Sequence, residues 1–279
     1  MVPDTLAALA ADFPFEWWQA ALILLAGVAA GLINTIVGSG TLVTFPVLVT
    51  MGVPPVTASM SNAMGLSAGN LTGAWNYRHE LAGVERTLLK LIPCSALGGV
   101  IGAWLLLHLP ETVFAVVAPV LIAMAVLLVI FQPRLSAWVK GRQDAEHVTP
   151  ESVDSHPIRP VLYVLVFLTG VYGGYFTAAQ GVILMAIFGI FLHGTLQQSN
   201  AIKVILSLAV NLIAAVSYLL FAFERIDWTV VLLIAVGSLV GGFVGAKVGR
   251  RLSPGWLRAV IVVLGLLALV NMLGQLVAA

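Results

Sequence analysis

Apolar residues run along this chain in blocks of about 20, long enough to cross a hydrocarbon core as helices. Continuous blocks predict spans at about 56–77, 88–108, 112–131, 196–221, 228–248 and 255–276. Two further apolar stretches, about 17–51 and 160–193, are broken in the middle, by Gly38-Ser39-Gly40 and by Ala179-Gln180-Gly181. After the first break, Thr41 to Met51 makes only about 16 Å of helix, half the hydrocarbon thickness, and cannot span alone. Pro54-Pro55 then opens the next helix, at a position where proline is tolerated. Lipid does not satisfy a broken backbone, so such breaks must be covered by protein or line a polar cavity.

The second broken stretch repeats the first. Ser61-Asn62-Ala63 in one half is echoed by Ser199-Asn200-Ala201 in the other, about 138 residues on, each following a glycine-containing break and a short apolar arm. Interrupted segments at matching places in two halves point to a transporter's binding site. The chain therefore divides into a segment 1–16, a first transmembrane repeat 17–131, a polar linker 132–158 and a second repeat 159–279. The expected fold is an all-α polytopic membrane protein of two inverted repeats, each an interrupted hairpin followed by three transmembrane helices.

Composition agrees: with 60% hydrophobic and 9% charged residues there is too little polar surface to cover a soluble globule. If both broken stretches return to the side they enter from, eleven of the 13 Lys and Arg fall on one side, with Arg225 opposite and Lys203 within a span. The positive-inside rule then makes the linker cytoplasmic and both ends non-cytoplasmic, in a cell inner membrane. A formal net charge of +1 with scattered basic residues gives no footprint for nucleic acid. Residues 1–16 lack a basic n-region, so no cleavable signal peptide is read there. The linker is expected to be flexible and without a chemical role.

Lys203 carries the strongest chemical signal, since a lysine inside an apolar helix is expensive unless it meets a counter-charge or a cavity. It follows Gln197, Gln198, Ser199 and Asn200 with no acidic residue nearby. A positive charge among amide and hydroxyl donors outlines an anion site; the alternative is that Lys203 snorkels to the interface. Gly38, Ser39, Gly40 and Thr41 at one break, and Gln180 and Gly181 at the other, would offer freed amides and helix N-termini that favour negative charge. The bland reading is close helix packing. Asn34, Thr35, Ser61 and Asn62 in the first half, with Tyr175, Thr177, Ser199 and Asn200 in the second, complete the candidate lining. Asn70 and Asn211 lie further from the breaks.

Buried carboxylates are missing from every predicted span, so protons, the candidate coupling ion, would travel with the substrate or through His79 or His193. Ser39 between two glycines lacks a partnering base for a hydrolase, and His and Cys never cluster at metal-ligand spacing. No enzyme activity, metal or cofactor is expected.

The segment GLINTIVGSGTLVTFPVLVTMGVPP with its SNA helix, repeated as GVYGGYFTAAQGVILM with QQSNAIK, resembles the TauE/SafE family of sulfite exporters. That resemblance implies export of a small sulfur-containing anion, such as sulfite, a sulfonate or the organosulfur anion sulfoacetate, across the bacterial inner membrane. Export and import both fit it. The rival readings are a carrier of another small organic anion and a non-transporting membrane anchor or sensor subunit.

Overall fold

The computed structural model describes residues 15–145, 153–155, 157–192, 194–248 and 254–278, and among these the regular structure is entirely helical. In chain order the helices are α1 (Trp17–Ile36), α2 (Thr41–Thr50), α3 (Pro55–Asn76), α4 (Glu85–His108) and α5 (Glu111–Ala145), then α6 (Pro160–Tyr175), α7 (Gln180–Phe191), α8 (Leu196–Phe221), α9 (Trp228–Val248) and α10 (Pro254–Ala278). Several helix starts are set locally: Pro55 and Pro160 take first-turn positions where a missing N–H is harmless. At the start of α8, Thr195 and Gln198 exchange hydrogen bonds of 3.2 and 2.9 Å in a capping box.

Packing against α9 fixes the direction of the first half. Gly27 lies on Ile234 and Gly31 on Ser238, while along α3 Gly65 lies on Ile234 and Gly69 on Ser238. Both registers rise together, so α1 and α3 run parallel to α9 and to each other. The intervening α2 must therefore turn back, as the hairpin expectation required. Contact this close needs small residues, because lipid supplies no hydrophobic drive between helices. The Ser238 hydroxyl reaches into α3, accepting from Gly69 N at 3.1 Å and donating to Gly65 O at 3.0 Å.

The second half is built alike. Gly98 backs onto Phe167 and Gly102 onto Val171, which makes α4 and α6 parallel. Leu162 and Val166 of α6 share a core with Ile202 and Leu206 of α8 at one end, and the Tyr218 hydroxyl donates to Gly174 O, 3.1 Å away, at the other. Thus α6 and α8 run the same way and α7 folds back between them. Tyr77 meets Asn200, and Gly73 meets Val204, so α3 and α8 run antiparallel.

Two expectations change. Among the described residues six helices are long and apolar enough by themselves to cross a membrane, and they include α1 but not α3, whose 22 residues carry Ser59, Ser61, Asn62, Ser67 and Asn70 in buried positions. Enclosure by α1, α8 and α9 spares those side chains from lipid. The polar linker is also less open than its composition suggests. Helix α5 continues through Pro133 to Ala145. Beyond it, a short turn at Val153–Ser155 is pinned to the bundle, with Val153 buried and the Asp154 carboxylate accepting from Arg86 N at 2.9 Å and Thr87 N at 2.8 Å.

Candidate substrate site where the two breaks meet

The two breaks touch. Gly181 N donates to Gly38 O at 3.1 Å, and a Cβ on Gly38 would lie 2.8 Å from the Gly181 Cα. Gly38 also has φ of +92°, so only glycine satisfies both the conformation and the approach. At the second break the left-handed residue is Ala179, at φ 60°, which holds strain of about 1 kcal/mol at the head of α7.

Lys203 lies beside this contact. Its side chain is 1% exposed, its Cδ would be 3.4 Å from a Cβ on Gly38, and its Nζ donates over 3.5 Å to Asn34 O. That carbonyl belongs to the last turn of α1, where intrahelical partners run out. The ammonium thus points to the middle of the molecule and does not snorkel. It is the only charged side chain that is fully buried among the described residues.

Around it lie polar groups with bonding capacity to spare. Ser39 Oγ and both amide atoms of Gln180 are buried without a hydrogen-bond partner within the protein. Gln180 packs flat on Gly173, next in sequence to the Gly181 contact. Asn200, one turn before Lys203, donates to the Tyr77 hydroxyl at 3.0 Å and leaves its Oδ1 unpartnered. Buried polar groups are nearly always satisfied, so several unsatisfied ones beside a buried charge mark a place built for something else.

Other expected residues have structural partners. Asn62 takes a hydrogen bond from the Thr44 hydroxyl and donates to Thr41 Oγ1 at 3.1 Å, tying α3 to the first turn of α2. Ser61 accepts from Asp227 N at 3.0 Å, and Thr35 donates to Gly31 O at 2.9 Å. Gly40 lies against Ala30 of α1, and Ser199 is buried in the first turn of α8. Tyr175 joins an aromatic group with Phe114, and its hydroxyl lacks a partner; Phe176 and Phe45 extend the group. Thr177 is half-buried in the second break, its carbonyl 3.5 Å from Gln180 N.

Asn70 is the residue that spacing alone underrated. It accepts from Asn34 Nδ2 at 2.6 Å and keeps an unpartnered Nδ2, which brings it into the Lys203 neighbourhood through Asn34. Its signal lay in its being one more amide on the polar helix α3. Of the histidines considered for proton transfer, His79 is exposed in the turn after α3, and His193 lies outside the described residues. No group of three or more His, Cys, Asp or Glu among the described residues could hold a metal ion.

Comparison with known proteins agrees with a membrane carrier. The chain is 24% identical over 252 residues to a "Probable membrane transporter protein" of Haemophilus influenzae, covering 90% of this chain and 93% of the relative. It is 25% identical to "Probable membrane transporter protein ORF9" of Sinorhizobium sp, over 91% of this chain and 92% of that one. "Probable membrane transporter protein YfcA" of Escherichia coli K12 is 24% identical over 80% of this chain and 76% of its own length. No solved structure matches the chain. The family described as Sulfite exporter TauE/SafE matches residues 23–272, nearly the whole molecule, and this chain belongs to that family of multi-pass membrane transporters.

Proposed function

We propose that the chain carries a small sulfur-containing anion, sulfite or an organosulfonate, through a site formed where the two breaks meet. The observation that carries this reading is the buried Lys203 side chain, with no acidic partner among the described residues, flanked by unpartnered Ser39 and Gln180. An uncompensated charge in a membrane interior is costly, and an anion relieves it. First-turn amides at the head of α2 would face the oxygens, those at the head of α7 being taken by the Thr177, Gly38 and Ala179 carbonyls, and Asn200 would orient them.

The antiparallel course of α3 and α8, each behind its own hairpin, supports two inverted repeats. Alternating access would come from one repeat rocking against the other about the Gly38–Gly181 contact. The linker faces the cytoplasm in this reading.

The test is uptake of labelled sulfite by proteoliposomes holding the purified protein, with and without an imposed pH gradient. Saturable flux is expected, and its response to the gradient reports proton coupling. Absence of flux for sulfite and for a small sulfonate, in protein shown to be folded, overturns the proposal.

A further inference from the structure

We infer that Asn211 on α8 is a second anion station, a neutral amide that takes the substrate's oxygens beyond the Lys203 site, toward the face opposite the linker. This rests on the substrate-site reading above and deepens it.

The two halves meet along a seam between α3 and α8. Tyr77, just past the end of α3, is bonded to Asn200, and Gly73 lies on Val204. Continuing this antiparallel register sets Asn70 level with Ser207 and Leu66 level with Asn211. On each helix the four positions are spaced by three or four residues and so share one face. The seam starts at the linker end, because α8 begins beside Gly194, against which Val153 packs. It meets the Lys203 site through Asn34, whose carbonyl takes the lysine's bond and whose amide donates to Asn70. Asn211 follows two turns after Lys203, about 12 Å further along α8.

Asn211 is 1% exposed, and neither its Nδ2 nor its Oδ1 has a hydrogen-bond partner within the protein. On the facing helix, about one turn back along the seam, Asn70 Nδ2 is buried and unpartnered as well. A buried amide left unbonded costs the fold more than an apolar side chain of the same size, so stability does not account for asparagine here. Past Asn211 the surroundings turn apolar: Ala214 and Tyr218 of α8 are buried in one core with Phe45, Phe114 and Phe176. Asn211 is therefore the last polar position of the seam before the aromatic core closes it.

An amide suits a place of passage. Its Nδ2 offers two donors to sulfonyl or sulfite oxygens, and its Oδ1 accepts from a water carried with the anion. Being neutral, it holds an anion loosely, and passage needs sites that release as readily as they bind. The same donors serve anions of one or two charges.

Asn211→Leu keeps the volume of the side chain and removes both polar atoms. Two readouts are taken on the full chain: melting temperature in detergent with and without sulfite, and labelled sulfite uptake by proteoliposomes per folded protein. The variant is expected to melt no lower than wild type and to be stabilised by sulfite as wild type is. Its flux should fall about tenfold, as for one lost hydrogen bond to a charged group. Normal flux overturns the inference and leaves Asn211 as a polar spot that water fills. Loss of sulfite stabilisation along with flux merges Asn211 into the Lys203 site, and a separate station is then wrong. Flux that falls only in step with folded protein marks a brace, with the same consequence. Should leucine prevent folding, Asn211→Ser and Asn211→Ala decide: serine, which keeps a donor, should retain several-fold more flux, and equal flux contradicts the station. If folded wild-type protein shows neither sulfite flux nor stabilisation by sulfite, the carrier reading itself has failed and the station falls with it.

Discussion

The triplets Ser61-Asn62-Ala63 and Ser199-Asn200-Ala201 have the same sequence and occupy matching places, yet they do different work. In the first half the triplet is used up by the protein: Ser61 holds the Asp227 amide, and Asn62 ties Thr41 and Thr44 to α3. In the second half Asn200 reaches across to Tyr77 and leaves an acceptor unpartnered. Three residues further on, the contrast sharpens. Asn62 is followed by Gly65, whose missing side chain lets Ile234 and Ser238 approach, while Asn200 is followed by Lys203. Under the proposed function, the first-half triplet braces the fold and the second-half one serves the substrate.

Removing the charge should break that division most severely. Lys203→Met keeps the length of the stem, so the packing over Gly38 survives while the ammonium is lost. Sulfite flux per folded protein is expected to fall about 100-fold or more, in line with the loss of one partner of a buried ion pair. Normal flux in this variant would mean that the lysine never meets the anion.

The contact between the breaks comes next. Gly38→Ala meets both a positive φ and the Gly181 backbone, whereas Gly52→Ala meets a φ of +86° with open space around it. The first should cost about 3 kcal/mol and lower the melting temperature in detergent clearly; the second should cost only about 1 kcal/mol. Equal losses would show that conformation, and not the meeting of the two halves, makes glycine necessary at 38.

Alanine at the paired asparagines tests the comparison directly. Asn62→Ala leaves the Thr41 hydroxyl without its donor and Thr44 with only Gly40 O, 3.4 Å away, and should destabilise by about 1–3 kcal/mol, with transport falling only as folded protein is lost. Asn200→Ala should leave stability closer to wild type and raise the sulfite concentration needed for half-maximal flux. If the two variants exchange these behaviours, the assignment of bracing and binding is reversed.

Much of this was legible in the chain itself, for a physical reason. Breaks in apolar segments cannot face lipid, so Gly38-Ser39-Gly40 and Ala179-Gln180-Gly181 announced an interior location, and an isolated Lys203 in an apolar helix announced a charge to be met. Which polar groups were spent on the protein could not be read the same way. Asn62 and Asn200 sit in the same Ser-Asn-Ala triplet, and the helices packed against them decide whether their amides are used. Asn70 entered the neighbourhood of Lys203 through Asn34, 36 residues away in the chain. The docked turn at Val153–Ser155 was hidden for a similar reason: its anchoring groups are backbone amides of α4, and amides carry no sequence signature.

That turn gives the smallest effect, and it tests whether the linker joins the halves or merely connects them. Burial alone would raise the Asp154 carboxyl, but hydrogen bonds from the Thr87 side chain and from the Arg86 and Thr87 amides, helped by the Arg86 charge, hold it below the usual carboxylate range. A group lowered in the folded state stabilises above its unfolded value, near 4 for aspartate, and that contribution disappears as the pH falls through the lower folded value. Hydrogen exchange at the Arg86 and Thr87 amides should therefore be slow at neutral pH, after correction for intrinsic rates, and lose protection in acid. Asp154→Asn retains the shape but not the charge, and should weaken this cap by about 1 kcal/mol with little acid dependence left. Transport by the variant should change less than in any substitution above, because Asp154 pins the surface end of α4, away from the proposed anion site at the breaks. A loss of flux comparable to that of Asn200→Ala would instead make the linker a working part of the transport cycle, coupling the first half at Gly83 and Thr87 to the second at Gly194, against which Val153 packs.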